Sequence, residues 1–254
     1  MKSIAVAGKG GTGKSTIAAL IIAALIQRGE TPVLAIDADA DANLTPLLGA
    51  EKGTTVGDLR EDFLADVSNF PAGMSKAAYI EAGLHDIIVE NRGFDVLTMG
   101  RGEGPGCYCY LNSLIQKFSG DLMPSYTWVV MDNEAGLEHV SRRTSTHLDG
   151  LIVVVTDNPL SMHSAAAIKK VAEEIKNPVF KIYAVTNMVR EDRKKDVIEK
   201  IHEIPMDHIC DIPADPELEE TVYRGETLLD FTGKGVMGPI ENIINKIGGN
   251  NGTT

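Results

Sequence analysis

The chain of 254 residues is 43% hydrophobic and 24% charged, values that are ordinary for a globular protein and exclude wholesale disorder. Acidic residues outnumber basic ones by 36 to 24, and the net charge of −12 disfavours a protein whose main task is to coat nucleic acid. Three cysteines are too few for a disulfide framework, so we expect a cytoplasmic protein. The longest apolar run, residues 17–26, is about half of a membrane span, and no membrane association is expected.

Short apolar runs alternate with helical patterns along the chain. The predicted strands are residues 3–7, 33–36, 95–99, 128–131, 151–155 and 181–186. The predicted helices include residues 14–28, 164–174 and 193–202. This alternation favours an α/β fold with a doubly wound, mostly parallel sheet. We expect a single domain over residues 1–254 with a flexible tail at about 248–254, and helices and loops inserted beside the sheet in residues 50–93.

A glycine-rich loop carries the clearest motif. Residues 8–16 read Gly-Lys-Gly-Gly-Thr-Gly-Lys-Ser-Thr and fit Gly-x-x-x-x-Gly-Lys-Ser/Thr between a predicted strand and a predicted helix. Such a loop turns backbone N–H groups toward phosphate oxygens, and the helix adds its positive end. Lys14 is expected to reach the β- and γ-phosphates, and Ser15 to bind Mg²⁺. The sequence therefore predicts an ATP and Mg²⁺ site formed by Gly8, Gly10, Gly11, Thr12, Gly13, Lys14, Ser15 and Thr16.

Acidic side chains follow two of the predicted strands. Asp37, Asp39 and Asp41 stand at alternate positions after the second strand, where they repel one another unless a cation is present. Asp132 ends the apolar run 128–131 and is suited to hold a water of a magnesium shell. We predict that Asp37 and Asp132 belong with Ser15 to the magnesium site.

The early lysine of the loop points to a family. Lys-Gly-Gly-x-Gly-Lys-Ser/Thr, beginning at Lys9, resembles the phosphate loop of the MinD/ParA-like ATPases, which include the nitrogenase iron protein and the arsenite-pump ATPase. The resemblance implies their P-loop fold and an ATP-dependent homodimer, in which Lys9 crosses the interface and touches the partner's nucleotide. It makes Lys9 and Lys14 catalytic candidates.

The same resemblance extends to the acidic segment. The family pattern Asp-x-Asp-x-x-x-Asn is matched by Asp37, Asp39 and Asn43, which implies that Asp39 orients or activates the attacking water. Asp41 is a weaker candidate for the magnesium shell and a candidate switch residue. A second switch follows Asp132, where a backbone N–H near Gly136 is placed to sense the γ-phosphate.

Two later segments are predicted to bind the base. Asn187 follows the strand predicted at 181–186, and its amide has the donor and the acceptor suited to adenine N6 and N7. A plain turn is the alternative interpretation of Asn187. The segment Ile-Pro-Ala-Asp at residues 212–215 resembles the family's second adenine loop, which implies nucleotide contacts for Pro213 and Asp215.

Two of the three cysteines lie two residues apart, at Cys107 and Cys109 in a glycine-rich loop. A disulfide between them would need strained geometry, and two thiolates cannot complete a four-coordinate site. A two-fold dimer would bring four sulfur atoms together, a set that suits Zn²⁺, Ni²⁺ or an iron–sulfur cluster. Two incidental buried cysteines are the alternative.

The combination of motifs narrows the resemblance. The phosphate loop, the Cys-x-Cys pair and the pattern Asp-x-Glu-Ala-Gly-x-Glu-His together resemble the ATPases that mature carbon monoxide dehydrogenase and acetyl-CoA synthase by nickel insertion. The last pattern is matched by Asp132, Glu134, Ala135, Gly136, Glu138 and His139. The resemblance implies one of these two enzymes as the client, Ni²⁺ or Zn²⁺ at the Cys-x-Cys site, and switch roles for Glu134, Gly136 and Glu138. Close relatives often have proline between the cysteines, where this chain has Tyr108.

Two further segments receive structural interpretations. His202, His208 and Cys210 match no common metal spacing, and we predict a helix end and a loop there. Isoleucines at 240, 243, 244 and 247 form a stripe at helical spacing, which we expect to dock on the protein's own core.

Two other functions stay open. One is an iron–sulfur electron-transfer ATPase like the nitrogenase iron protein, although the cluster cysteines of that family lie far apart in sequence. The other is a partition or positioning switch ATPase without a metal, against which the acidic charge and the lack of a basic tail count.

Overall fold

The computed structural model describes residues 1–65, 75–100, 120–133, 148–174, 179 and 181–249. Its strands are β1 (Lys2–Gly8), β2 (Val33–Asp37), β3 (Val89–Glu90), β4 (Phe94–Thr98), β5 (Trp128–Asp132), β6 (Gly150–Val155), β7 (Ile182–Asn187) and β8 (Asp207–Ile212). Its helices are α1 (Lys14–Gln27), α2 (Leu44–Leu47), α3 (Val56–Ala65), α4 (Lys76–Asp86), α5 (Pro159–Glu174), α6 (Lys194–Glu203), α7 (Pro216–Tyr223) and α8 (Lys234–Gly248).

The eight strands form one sheet in the order β3-β4-β2-β5-β1-β6-β7-β8. All pairs are parallel except the edge pair of β3 with β4. The central strands are buried along their length, because helices cover both faces of such a sheet. The predicted doubly wound, mostly parallel α/β fold is confirmed.

The order of the strands places β1 and β5 at the centre, with β2 beyond β5 and β6 and β7 beyond β1. The carboxyl ends of these parallel strands therefore meet at one edge of the sheet, where the connecting loops of α/β proteins form their sites. Each predicted strand is found within one residue at either end. The helix predicted at 164–174 begins earlier, at Pro159, because Asn158 accepts a hydrogen bond from the backbone of Leu160 at 2.9 Å and proline favours a first helical turn.

The helix end predicted near His202 is confirmed, since α6 ends at Glu203. The loop predicted around His208 and Cys210 is wrong, since Asp207–Ile212 forms β8 beside β7. The polar residues of β8 break the apolar pattern by which a strand is recognised in a sequence. The strand forms because it pairs with β7. Residues 50–93 add α3 and α4 as expected, together with the short antiparallel strand β3.

The C-terminal stripe docks on the core as predicted. Ile240, Ile243 and Ile244 have no exposed surface and Ile247 is 3% exposed, because α8 packs beside α1 and β8. The helix continues to Gly248, so the ordered chain reaches into the range expected as a tail, and residues 250–254 lie outside the description. None of the described helices is long and apolar enough to cross a membrane.

Candidate nucleotide site

The phosphate loop connects β1 to α1 at the carboxyl edge of the sheet. Within it, the backbone N–H and the hydroxyl of Thr12 both donate to the carbonyl of Lys9, at 3.3 and 2.8 Å. Lys14 begins α1 and the residue is only 7% exposed. The loop is thus a closed turn that carries a largely enclosed lysine at the start of a helix, an arrangement that suits phosphate.

Two glycines of the loop have no room for a side chain. A Cβ on Gly8 would lie 2.7 Å from the carbonyl oxygen of Val154 on β6. Gly13 has a φ of +87°, and a Cβ there would collide with the side-chain amide of Asn187. Both positions therefore require glycine because a neighbouring group lies too close for a Cβ. Gly13 also requires it because of its positive φ.

Asp37 ends β2 with its side chain fully buried. Its carboxylate accepts hydrogen bonds from the backbone N–H groups of Leu44 and Thr45, at 3.0 and 3.3 Å, and from that of Asp39 at 3.3 Å. Burial raises the pKa of Asp37 to about 6, against the lowering effect of these bonds. The carboxylate thus anchors the segment that follows β2 and holds the start of α2.

Asp132 ends β5, and it is also fully buried. Neither of its carboxylate oxygens has a partner in hydrogen-bond geometry among the described residues. Burial raises its pKa to about 7, while the Ser15 hydroxyl, which faces the carboxylate without reaching that geometry, and the Lys14 ammonium act in the opposite direction. A buried carboxylate without a donor, beside the hydroxyl predicted to bind Mg²⁺, fits the environment of a magnesium ion and its waters.

A cavity of about 490 Å³ lies between the phosphate loop and the segment after β2. Its lining includes Lys14, Ser15, Asp39, Asp41 and Asn43. The structure therefore brings Asp39 and Asp41, two of the three acidic residues predicted there, to the same space as the predicted phosphate-binding side chains.

A second cavity of about 430 Å³ lies on the other side of the loop. Asn187, Pro213 and Asp215, the three residues predicted to bind the base, all line it. Asp215 also caps α7, since its carboxylate accepts from the N–H groups of Glu217 and Leu218 at 2.9 and 3.0 Å. The two cavities share Gly11, Gly13, Thr16 and Val222, as expected if base and phosphates occupy opposite ends of one ligand.

The apolar wall of the base cavity was not predicted from the sequence. It includes Ile17 and Leu20 on α1, Ile212 on β8, and Leu218, Val222 and Tyr223 on α7. Asp215 followed by Pro216 is a recognisable helix start, and Leu218 and Val222 stand four residues apart on the helix that follows. That local signal was available in the sequence, but the cavity that these residues face was not.

Several predicted residues lie outside the described ranges, namely Cys107, Cys109, Glu134, Gly136 and Glu138. Within those ranges, no group of three or more His, Cys, Asp or Glu side chains could hold a metal ion. The described cysteine, Cys210, donates from its thiol to the carbonyl of Pro239 at 3.5 Å, and burial raises its pKa to about 12. Cys210 is therefore a partly buried, protonated thiol, and it belongs to no potential metal-binding group among the described residues.

The loop, the two cavities and the buried carboxylates at the ends of β2 and β5 define a P-loop nucleotide-binding protein. The chain belongs to the CobQ/CobB/MinD/ParA nucleotide-binding domain family, whose model matches residues 3–228. It is a MinD/ParA-type ATPase.

Two relatives are similar in sequence to this chain over more than two thirds of its length. An uncharacterized ATP-binding protein of Methanocaldococcus jannaschii is 37% identical over 247 residues, which cover 96% of this chain and 97% of the relative. The carbon monoxide dehydrogenase accessory protein CooC of Rhodospirillum rubrum is 32% identical over 187 residues, which cover 68% of this chain and 69% of CooC.

Solved structures share the fold. The MinD cell division protein of Aquifex aeolicus superposes with a TM-score of 0.70 at 21% identity, over 98% of this chain and 97% of that one. A ParA family ATPase of Chlorobium tepidum gives a TM-score of 0.70 at 22% identity, over 94% and 96% of the two chains.

Proposed function

We propose that this ATPase is a maturation factor that inserts nickel into carbon monoxide dehydrogenase or acetyl-CoA synthase, acting in the cytoplasm. The observation that carries the proposal is the 32% identity with the carbon monoxide dehydrogenase accessory protein of Rhodospirillum rubrum over 187 residues. The Cys-x-Cys pair at Cys107 and Cys109 supports it, because nickel delivery needs ligands that hold the metal and release it.

The proposed unit is an ATP-dependent homodimer. Each chain supplies two of four thiolates that bind Ni²⁺ or Zn²⁺ on the two-fold axis, and Lys9 reaches the nucleotide of the partner chain. ATP binding closes the dimer, and hydrolysis releases the switch segments after β2 and β5. The distance between the two cysteine pairs then changes, and with it the affinity for the metal.

Hydrolysis at this site depends on positioning and on charge. Asp39 accepts a hydrogen bond from the attacking water, whose oxygen bonds to the γ-phosphorus as the bond to the β–γ bridging oxygen breaks. Lys14 and Lys9 offset the negative charge on the phosphate oxygens. Ser15, Asp37 and Asp132 are the residues that would hold Mg²⁺, which when bound supplies further neutralisation of phosphate charge.

Metal stoichiometry tests the shared site. Wild-type protein should bind one nickel or zinc ion per two chains, and Cys107→Ala should lose this binding yet keep its affinity for ATP. The matched control is Cys210→Ala, which removes a partly buried thiol outside the pair and should leave the stoichiometry unchanged. Full metal affinity in Cys107→Ala would exclude a shared thiolate site.

The second candidate, a partition or positioning switch, has the support of a fold shared with ParA and MinD structures. At identities of 21 and 22% that likeness concerns the fold alone. Co-sedimentation with DNA or with anionic liposomes in the presence of ATP would favour this candidate over metal delivery. An iron–sulfur electron-transfer ATPase would instead be brown when purified without oxygen.

A further inference from the structure

A long-range hydrogen bond joins the base cavity to the phosphate loop. Asn187 lies at the carboxyl end of β7 with only 6% of its surface exposed. Its side-chain nitrogen Nδ2 donates to the backbone carbonyl of Thr12 at 2.9 Å, across 175 positions of sequence. The residue predicted to read the base is therefore already bound to the loop that is predicted to hold the phosphates.

The chemistry of this bond fixes the orientation of the amide. A backbone carbonyl can only accept, so the nitrogen of the Asn187 amide must face Thr12. The oxygen Oδ1 is then directed away from the loop, and it accepts no hydrogen bond from the described residues. One side chain thus offers a donor to the loop and an acceptor to the cavity that it lines.

The bond also fixes the peptide between Thr12 and Gly13. In a planar trans peptide the carbonyl and the following N–H point in opposite directions. Because the carbonyl of Thr12 is held toward Asn187, the N–H of Gly13 is turned away from it. The absence of a Cβ on Gly13 allows this close approach. Asn187 therefore controls the direction of a loop N–H group immediately before Lys14.

We propose that Asn187 is a positioning residue for the phosphate loop, in addition to its contact with the base. Its amide holds the Thr12–Gly13 peptide in the orientation in which the Gly13 N–H faces the phosphates. This inference rests on the proposed binding of ATP at the loop, but not on the nickel role. Its consequence is that Asn187 contributes to the binding of a polyphosphate that has no base.

Inorganic tripolyphosphate with Mg²⁺ separates the two roles. If Asn187 positions the loop, Asn187→Ala should weaken tripolyphosphate binding about fivefold and weaken ATP binding further, because the base contact is also lost. Calorimetric titration of both ligands measures the two effects. The matched control is Leu218→Ala, in the apolar wall of the base cavity, which should weaken ATP binding but change tripolyphosphate binding less than twofold.

A measurement of folding guards against a folding defect: Asn187→Ala should keep a single cooperative urea transition. Asn187→Asp keeps the size of the side chain but places a charged oxygen opposite the Thr12 carbonyl, and it should weaken tripolyphosphate at least as much as the alanine variant. If Asn187→Ala binds tripolyphosphate like wild type but binds ATP more weakly, the positioning role is overturned while the proposed nucleotide site stands. An equal loss of tripolyphosphate binding in Leu218→Ala would have the same meaning. Wild-type protein that binds neither ligand would overturn the proposed site, and this inference with it.

Discussion

Asp37 and Asp132 are register partners on the adjacent parallel strands β2 and β5, and both side chains are fully buried. Burial raises the pKa of Asp37 to about 6 and that of Asp132 to about 7, and the charge of Asp37 contributes to the second shift. Two neighbouring buried carboxylates are unfavourable when ionised. The site is therefore electrostatically suited to a cation. Without a cation, ionisation of these carboxylates at neutral pH should lower the free energy of unfolding.

This cost predicts a pH-dependent stability. The pKa of Asp132 is about 7 in the folded chain against a usual 3.8, so between pH 4 and 7 the folded state keeps a proton that the unfolded state has lost. Stability from this group is complete below pH 4, falls as the pH rises and levels off above 7. Asp132→Asn should remove this fall and raise the free energy of unfolding at pH 8 by up to about 4 kcal/mol.

Urea unfolding of the nucleotide-free protein at pH 5 and pH 8 measures the effect. The difference in unfolding free energy between the two pH values should be smaller in Asp132→Asn than in wild type. Equal differences in the two proteins would show that Asp132 does not titrate in this range.

Asp39→Asn should slow hydrolysis without preventing nucleotide binding. The side chain lines the phosphate cavity, and its replacement removes the charge that orients the attacking water, so we expect a fall in kcat of about 100-fold or more. The dissociation constant for ATP should change less than about threefold. Asp41→Asn, in the same cavity but with an exposed side chain, is the control and should cost less than about fivefold in kcat. Equal losses in the two variants would contradict a special role for Asp39.

The orientation of Asn187 predicts which bases are accepted. Its free Oδ1 can accept from the 6-amino group of adenine but opposes the 6-oxo group of hypoxanthine. Wild-type protein should bind ATP about tenfold more tightly than inosine triphosphate, and Asn187→Ala should bind the two with similar affinity. Competition against a fluorescent ATP analogue measures both. A wild-type protein without preference, or an alanine variant that keeps the preference, would contradict this contact.

Packing of the C-terminal helix should stabilise the fold. Ile243 has no exposed surface, and Ile243→Ala should lower the free energy of unfolding by about 3 kcal/mol because it leaves a cavity against the core. Lys246→Ala on the exposed side of α8 is the matched control, with an expected change below about 0.5 kcal/mol. Similar unfolding free energies for the two variants would contradict docking of this helix.

The sequence predicted those elements whose residues are adjacent in the chain. The strand, loop and helix around residues 8–16 are adjacent in the chain, and so the phosphate loop was recognisable. Strand β8 was not, because Asp207, His208 and Asp211 break an apolar pattern and pairing with β7 determines the strand. Nor could the sequence show that Asp37 anchors the start of α2 or that Asn187 donates to Thr12, since both depend on how the chain folds back on itself.

Activation of a nickel-free client tests the central proposal most directly. Nickel-free carbon monoxide dehydrogenase or acetyl-CoA synthase is incubated with limiting nickel, ATP and this protein, and its enzymatic activity is then measured. The proposal predicts that activity depends on all three additions and is lost with Lys14→Ala, which lacks the phosphate-loop ammonium, and with Cys107→Ala, but not with Cys210→Ala. Equal activation of both clients without this protein, or with Cys107→Ala in its place, would contradict it.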